Sequence, residues 1–145
     1  MKNGATELDM VINDAALISG DYDYVERDIR AVVESAHSYS PQATVKVIFE
    51  TSLLNDALIV KACELSEAAG ADYVKTSTGF GSAGATLHNV KLMKSTVGDR
   101  LKVKSSGGVR TLDQLIDFMQ AGVSRSGCSA TKAVIEEFVA KASYS

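Results

Sequence analysis

Cysteine is scarce in this chain. Cys63 and Cys128 stand far apart with no partner at metal-ligand spacing, which argues against a disulfide scaffold or a zinc module and fits a reduced chain. Proline occurs once, as Pro41, in a linker. The two histidines, His37 and His88, have no carboxylate or thiol at ligand spacing and read as surface residues. No apolar stretch approaches the ~18 residues of a membrane span, and no signal-peptide pattern is visible. Cations are not in excess either. The net charge is −3 with both signs interspersed, so no basic patch supports nucleic-acid binding, and an anionic ligand must be held by local geometry. A cytoplasmic location is the default expectation.

What is present is an ordinary globular composition, 46% hydrophobic and 23% charged, in 145 residues: a single domain, 1–145, with a real core. Periodicity gives five repeats of one unit. Strands are predicted at Glu7 to Asn13, Thr44 to Thr51, Asp72 to Ser77, Leu101 to Ser105 and Val123 to Gly127. Helices are predicted at about Asp21 to Ser38, Asn55 to Ala69, Ala85 to Val97, Leu112 to Gln120 and Ser129 to Lys141. Asp21 and Asp23 suit a helix start, Gly70 a helix stop, and Thr111 an N-cap. Strict βα alternation implies a parallel sheet.

Two architectures fit: part of a (β/α)₈ barrel, or an open doubly wound sheet. The strands decide in favour of the barrel. One face carries Leu8, Met10, Ile12, Val45, Val47, Phe49, Leu101 and Val103. The other carries Glu7, Asp9, Val11, Lys46, Ile48, Glu50, Tyr73, Lys75, Ser77, Lys102, Lys104 and Ser106, with charges of both signs among them. A doubly wound sheet is apolar on both faces, whereas a catalytic barrel has charges inside. Five units cannot close an eight-stranded barrel, so the chain reads as the C-terminal five-eighths of one. Its two end strands would be open edges.

Lys75 and Lys104 each close an apolar run just before a Gly-rich turn. A buried ammonium is costly unless paired or used. Two lysines at the ends of adjacent strands would depress each other's pKa, leaving a partly neutral amine that can attack a carbonyl. The expected chemistry is Schiff-base formation.

The segments Leu8-Asp9-Met10-Val11, Lys46-Val47-Ile48-Phe49-Glu50-Thr51, Lys75-Thr76-Ser77-Thr78-Gly79, Lys104-Ser105-Ser106-Gly107-Gly108-Val109-Arg110-Thr111 and Ser126-Gly127-Cys128-Ser129 occur in one order. That order and spacing resemble the deoxyribose-phosphate aldolases, class I aldolases on a (β/α)₈ barrel, over nearly the whole chain. The resemblance implies a lyase of deoxyribonucleotide catabolism that reversibly cleaves 2-deoxy-D-ribose 5-phosphate to acetaldehyde and glyceraldehyde 3-phosphate. By the same resemblance Lys75 forms the Schiff base, Lys104 lowers its pKa, and Asp9 organises the proton relay. No metal or other cofactor is needed, because the protonated imine is itself the electron sink. The family has further βα units before the point where this chain starts. The barrel is therefore expected to be completed by a second copy, as a homo-oligomer, or by a complementing chain. The alternative is a catalytically impaired homologue that acts as a binding or self-associating protein.

Gly79, Gly107, Gly108 and Gly127 all follow predicted strands, and Ser129 is expected to open the last helix, a combination suited to the substrate's phosphate. Phe80 stands where some family members carry a lysine, with Arg110 and Arg125 as substitute charge partners. Cys63 reads as core and Cys128 as a phosphate-loop thiol without a reactive role. Lys46 and Glu50 are expected to pair with each other, and Lys102 to be solvated. Tyr144 resembles the family's C-terminal tyrosine, which assists proton transfer.

Overall fold

The computed structural model describes residues 1–143. It contains five strands, β1 (Glu7–Val11), β2 (Thr44–Ile48), β3 (Tyr73–Lys75), β4 (Lys102–Ser106) and β5 (Arg125–Gly127). The helices are α1 (Asp14–Ser19), α2 (Tyr22–Tyr39), α3 (Asp56–Ala68), α4 (Leu87–Val97), α5 (Leu112–Gln120) and α6 (Thr131–Ala142), with one 3₁₀ turn at Thr51–Leu53. All strand pairs are parallel, in the order β1-β2-β3-β4-β5.

That order separates the two architectures. A doubly wound sheet reverses its strand order once to bring helices onto both faces. Here each strand lies beside its predecessor with no reversal, so right-handed crossovers deliver every helix to the same face. The fold is part of a (β/α)₈ barrel.

The core is the layer between that face and the helices. Val45, Val47, Phe49, Val74 and Val103 point out of the sheet and meet Val25, Ile29, Ile59, Val90, Met93 and Val97, all fully buried. Each such side chain contributes about 1.5–3 kcal/mol by leaving water. The opposite face is concave. Four steps of ~4.8 Å would set β1 and β5 ~19 Å apart in a flat sheet. Instead Arg125 on β5 crosses the Tyr73 ring, with its guanidinium carbon 5.2 Å from the centroid, and ion-pairs with Glu7 on β1.

Local signals set most element ends. Asp21, Asn55, Thr86 and Thr111 cap their helices by accepting from the third residue on, and Thr111 with Gln114 completes a capping box. Two expectations need correction. The segment after β1 forms a separate helix, α1, capped by Asn13 and stopped by Gly20 at φ 86°. The last helix begins at Thr131 without a side-chain cap, so Ser129 lies in the loop before it and does not open it. Strands β1, β2 and β3 end earlier than predicted, and β5 begins later, at Arg125.

Candidate active site

The parallel register brings the charged residues together. Lys75 is the direct partner of Lys104, which in turn pairs with Arg125; one repeat lower, Asp9 pairs with Lys46. Adjacent parallel strands lie ~4.8 Å apart, so Lys75 and Lys104 stand side by side on the concave face.

Asp9 is where they converge. Its Oδ2 accepts from Lys75 Nζ at 2.6 Å and from Lys104 Nζ at 3.4 Å, while its Oδ1 lies 3.2 Å from Lys46 Nζ. Burial would raise the Asp9 pKa, but hydrogen bonds from Lys75 and Lys46 and the charge of Lys104 override it and hold the carboxyl at about 2. Lys104 is lowered from the ordinary lysine value, first by burial and then by the Lys75 charge, with Asp9 opposing. Lys75 is 8% exposed and Asp9 keeps a third of its side chain open to solvent.

Lys46 is a third cation of this site, and its expected pairing with Glu50 is not found. It bonds Glu7 at 2.6 Å as well as Asp9, and Glu7 is held by Arg125. The reason is geometric. Residues four apart on a strand are ~13 Å apart, whereas register partners on neighbouring strands touch. Parallel register cannot be read from one strand alone, but charge on a shared face, Asp9 opposite Lys46, was the available signal.

Above the lysines, at the C-terminal ends of β3 to β5, lies a cavity of ≈ 320 Å³. Lys75, Lys104, Gly79, Gly107, Gly108, Gly127 and Ser129 all line it, joined by Thr78, Ser106 and Arg110. Thus every predicted site residue except Asp9 faces one space, and Asp9 reaches it through Lys75. Gly79, Gly107 and Gly108 have φ of 93°, 79° and 74°, and so present backbone N–H groups in directions other residues rarely allow. Beneath the loops, buried hydroxyls fasten β3 to β4: Thr76 Oγ1 donates to the Ser106 carbonyl and accepts from its N–H, and Ser106 Oγ donates to the Ser77 carbonyl.

The substitute phosphate partners divide. Arg110 lines the cavity; Arg125 is committed to Glu7 and Tyr73. Phe80 projects into solvent at 98% exposure. Lys102 is solvated as expected, its Nζ 5.5 Å from the Tyr73 centroid. Cys63 is buried among core residues, and half-buried Cys128 donates its thiol hydrogen to the Val109 carbonyl. His88 bonds the Asp56 carboxylate, a pairing across two helices that sequence spacing did not show, and His37 contacts the Ala43 carbonyl. Tyr144 lies outside the described residues. Among the described residues no group of three or more His, Cys, Asp or Glu is arranged to hold a metal ion, and no helix is long and apolar enough to cross a membrane.

Comparison with known proteins identifies the family and the fold. The family model for DeoC/LacD aldolases matches residues 1–135. A deoxyribose-phosphate aldolase of Staphylococcus epidermidis is 53% identical over 144 residues, which is 99% of this chain and 64% of that protein. The solved structure of the aldolase QR15 superposes with a TM-score of 0.86 at 43% identity, covering 97% of this chain and 62% of that one. The tetrameric deoxyribose phosphate aldolase of Aeropyrum pernix gives a TM-score of 0.83 at 36% identity, covering 94% and 56%. The chain thus spans between 56% and 64% of the length of these relatives. On sequence and fold together, the chain belongs to the DeoC/LacD family of aldolases.

Proposed function

We propose that this chain carries a class I aldolase site that reversibly cleaves 2-deoxy-D-ribose 5-phosphate to acetaldehyde and glyceraldehyde 3-phosphate. The observation that supports it most is the convergence of register-paired Lys75 and Lys104 on one oxygen of Asp9, beneath a cavity lined by glycine loops.

In this reading Lys75, after giving up its ammonium proton, adds to the substrate aldehyde carbon, and loss of water with uptake of one proton gives a protonated imine. Removal of the proton from the C3 hydroxyl breaks the C2–C3 bond, and its electron pair enters the imine to leave an enamine. Glyceraldehyde 3-phosphate departs. Protonation of the enamine carbon and hydrolysis of the imine then release acetaldehyde and restore Lys75. Lys104, with its lowered pKa, and Asp9, which holds both ammonium groups, are suited to carry the protons. The substrate phosphate sits against Gly79, Gly107, Gly108, Gly127 and Ser129, with Arg110 as the countercharge. In this reading the anion meets the loops after the last two strands, as is common in barrels, together with Gly79 from the loop after β3.

The relatives are longer, and β1 and β5 each have one unpaired edge among the described residues. Association with a second copy or a complementing chain that covers the concave face is part of the proposal, as is a cytoplasmic location. The test is borohydride trapping with acetaldehyde and with deoxyribose 5-phosphate, read by intact mass and peptide mapping. One adduct on Lys75, lost in Lys75→Arg and weakened in Lys104→Leu, supports the reading. No adduct, or adducts scattered over surface lysines, sinks it and favours an association role for the open face.

A further inference from the structure

Glu50 is the one non-glycine residue with a left-handed backbone among the described residues, at φ 49° and ψ 61°. Such a conformation costs energy and persists where the surroundings enforce it. Glu50 sits between β2 and the 3₁₀ turn, and it is 7% exposed although it carries a carboxylate. Oε2 accepts from the Thr78 backbone N–H at 3.2 Å and from the Thr78 hydroxyl. Thr78 Oγ1 in turn accepts from the Phe80 N–H at 3.1 Å. Among the described residues Oε1 has no hydrogen-bond partner, and it lies against Gly81, where an added Cβ would come within 2.7 Å of it. A strained backbone on one side and a missing side chain on the other thus bring a buried carboxylate onto the 78–81 loop.

We propose that Glu50 is a positioning residue for substrate binding, holding the 78–81 loop so that Thr78 and Gly79 line the anion end of the cavity. The inference rests on the proposed aldolase reading for the identity of the anion, the substrate phosphate. Glu50 consumes the Thr78 N–H and hydroxyl hydrogen, so neither is offered to the ligand; what the ligand meets is the loop they fix. Lys75 is fastened separately, through Asp9 and the β3 ladder, so loosening the loop leaves the amine where it is. Loss of Glu50 therefore weakens binding of phosphorylated ligands and spares imine formation with an unphosphorylated aldehyde.

The experiment compares wild type with Glu50→Gln, Thr78→Val and Gly81→Ala. For deoxyribose 5-phosphate cleavage the expected result is a KM raised about tenfold in Glu50→Gln, as for loss of charge-assisted hydrogen bonds, with kcat changed less than about threefold. The rate of acetaldehyde trapping on Lys75 should be unchanged. Thr78→Val, which removes the hydroxyl bond to Glu50 and keeps the backbone one, should raise KM less than Glu50→Gln does. Gly81→Ala leaves the carboxylate and crowds it, and should raise KM in the same way; it serves if Glu50→Gln does not fold. An unchanged KM, or a fall in acetaldehyde trapping that matches the rise in KM, overturns the inference. If wild type traps no aldehyde, the aldolase reading has failed, and inorganic phosphate titrated against the backbone amide signals of 78–81 and 107–108 decides separately. Weaker phosphate binding in Glu50→Gln upholds the role; equal binding, or no binding by wild type, overturns it.

Discussion

Lys75 Nζ and Asp9 Oδ2 lie 2.6 Å apart although 66 residues separate them in the chain. The contact crosses β2, and β2 takes part in it, because Lys46 holds the other oxygen of the same carboxylate. Asp9 is thereby fixed at both ends before any substrate arrives.

Replacing Lys46 with Met should expose what that grip contributes. The substitution keeps the stem and leaves Glu7 and Asp9 without a shared cation. Breaking a buried pair costs about 3–5 kcal/mol; since both carboxylates are about one third exposed, a loss of about 1–3 kcal/mol is expected after screening. Urea unfolding measures it, and Lys46→Arg should recover most of the loss. An unchanged midpoint in Lys46→Met would mean the network contributes nothing to stability.

Acid should weaken the fold through Asp9 and Glu7. The Asp9 carboxyl lies at about 2 against 3.8 unperturbed, and Glu7 is held at about 2 against 4.5, chiefly by its hydrogen bond from Arg125 and then by Lys46. Both folded values are depressed, so this stabilisation is complete above the unfolded values and disappears as pH falls through about 4 to 2. Unfolding free energies over that range should drop less steeply in Asp9→Asn. Parallel curves for the two proteins would refute the assignment.

Asp14 should act with the opposite sign. Burial, and then the Glu50 charge, raise it to about 6, and its Oδ1 has no hydrogen-bond partner among the described residues. A raised carboxyl pKa means that stability declines as pH rises from about 4 to 6. Two units correspond to about 3 kcal/mol, reduced to about 1–2 kcal/mol because the group is part-buried and solvent screens it. Asp14→Asn should therefore be more stable than wild type at pH 7 by that amount, with the gain vanishing below pH 4. A gain that persists at pH 3.5 would point to another cause.

The two thiols should be distinguishable by labelling. Burial pushes the Cys63 thiol up to about 12, which leaves almost no thiolate at neutral pH, whereas Cys128 is half-buried in the loop after β5. A thiol reagent at pH 8 should modify Cys128 alone in the folded protein and both residues in urea. Rapid modification of Cys63 without denaturant would show that the α3 layer opens easily.

Much of this was legible in the residues. Thr111 announced the start of α5, because an N-cap is a local signal, and Gln114 completes the capping box in the structure. The concave charges were legible because strand alternation is also local. The Asp9–Lys46 pairing and the reach of Arg125 to Glu7 depend on register and curvature, which no single strand encodes. Helix α1 was missed because its six residues leave no room for an apolar period, although Asn13 and Gly20 mark both ends. The Glu50 clasp was hidden for another reason. A left-handed glutamate is improbable from local propensity and exists only because Thr78 and Gly81 meet it from another loop.

The monotonic strand order has a consequence for how such a sheet can grow. Each strand's spatial neighbours are its neighbours along the chain, so the sheet behaves as a linear polymer of βα units. A unit joined at either edge adds one ladder and one helix–helix seam without breaking a pairing already made. A fold wound in two directions lacks that freedom at its start, because its first strand lies inside the sheet and not at an edge.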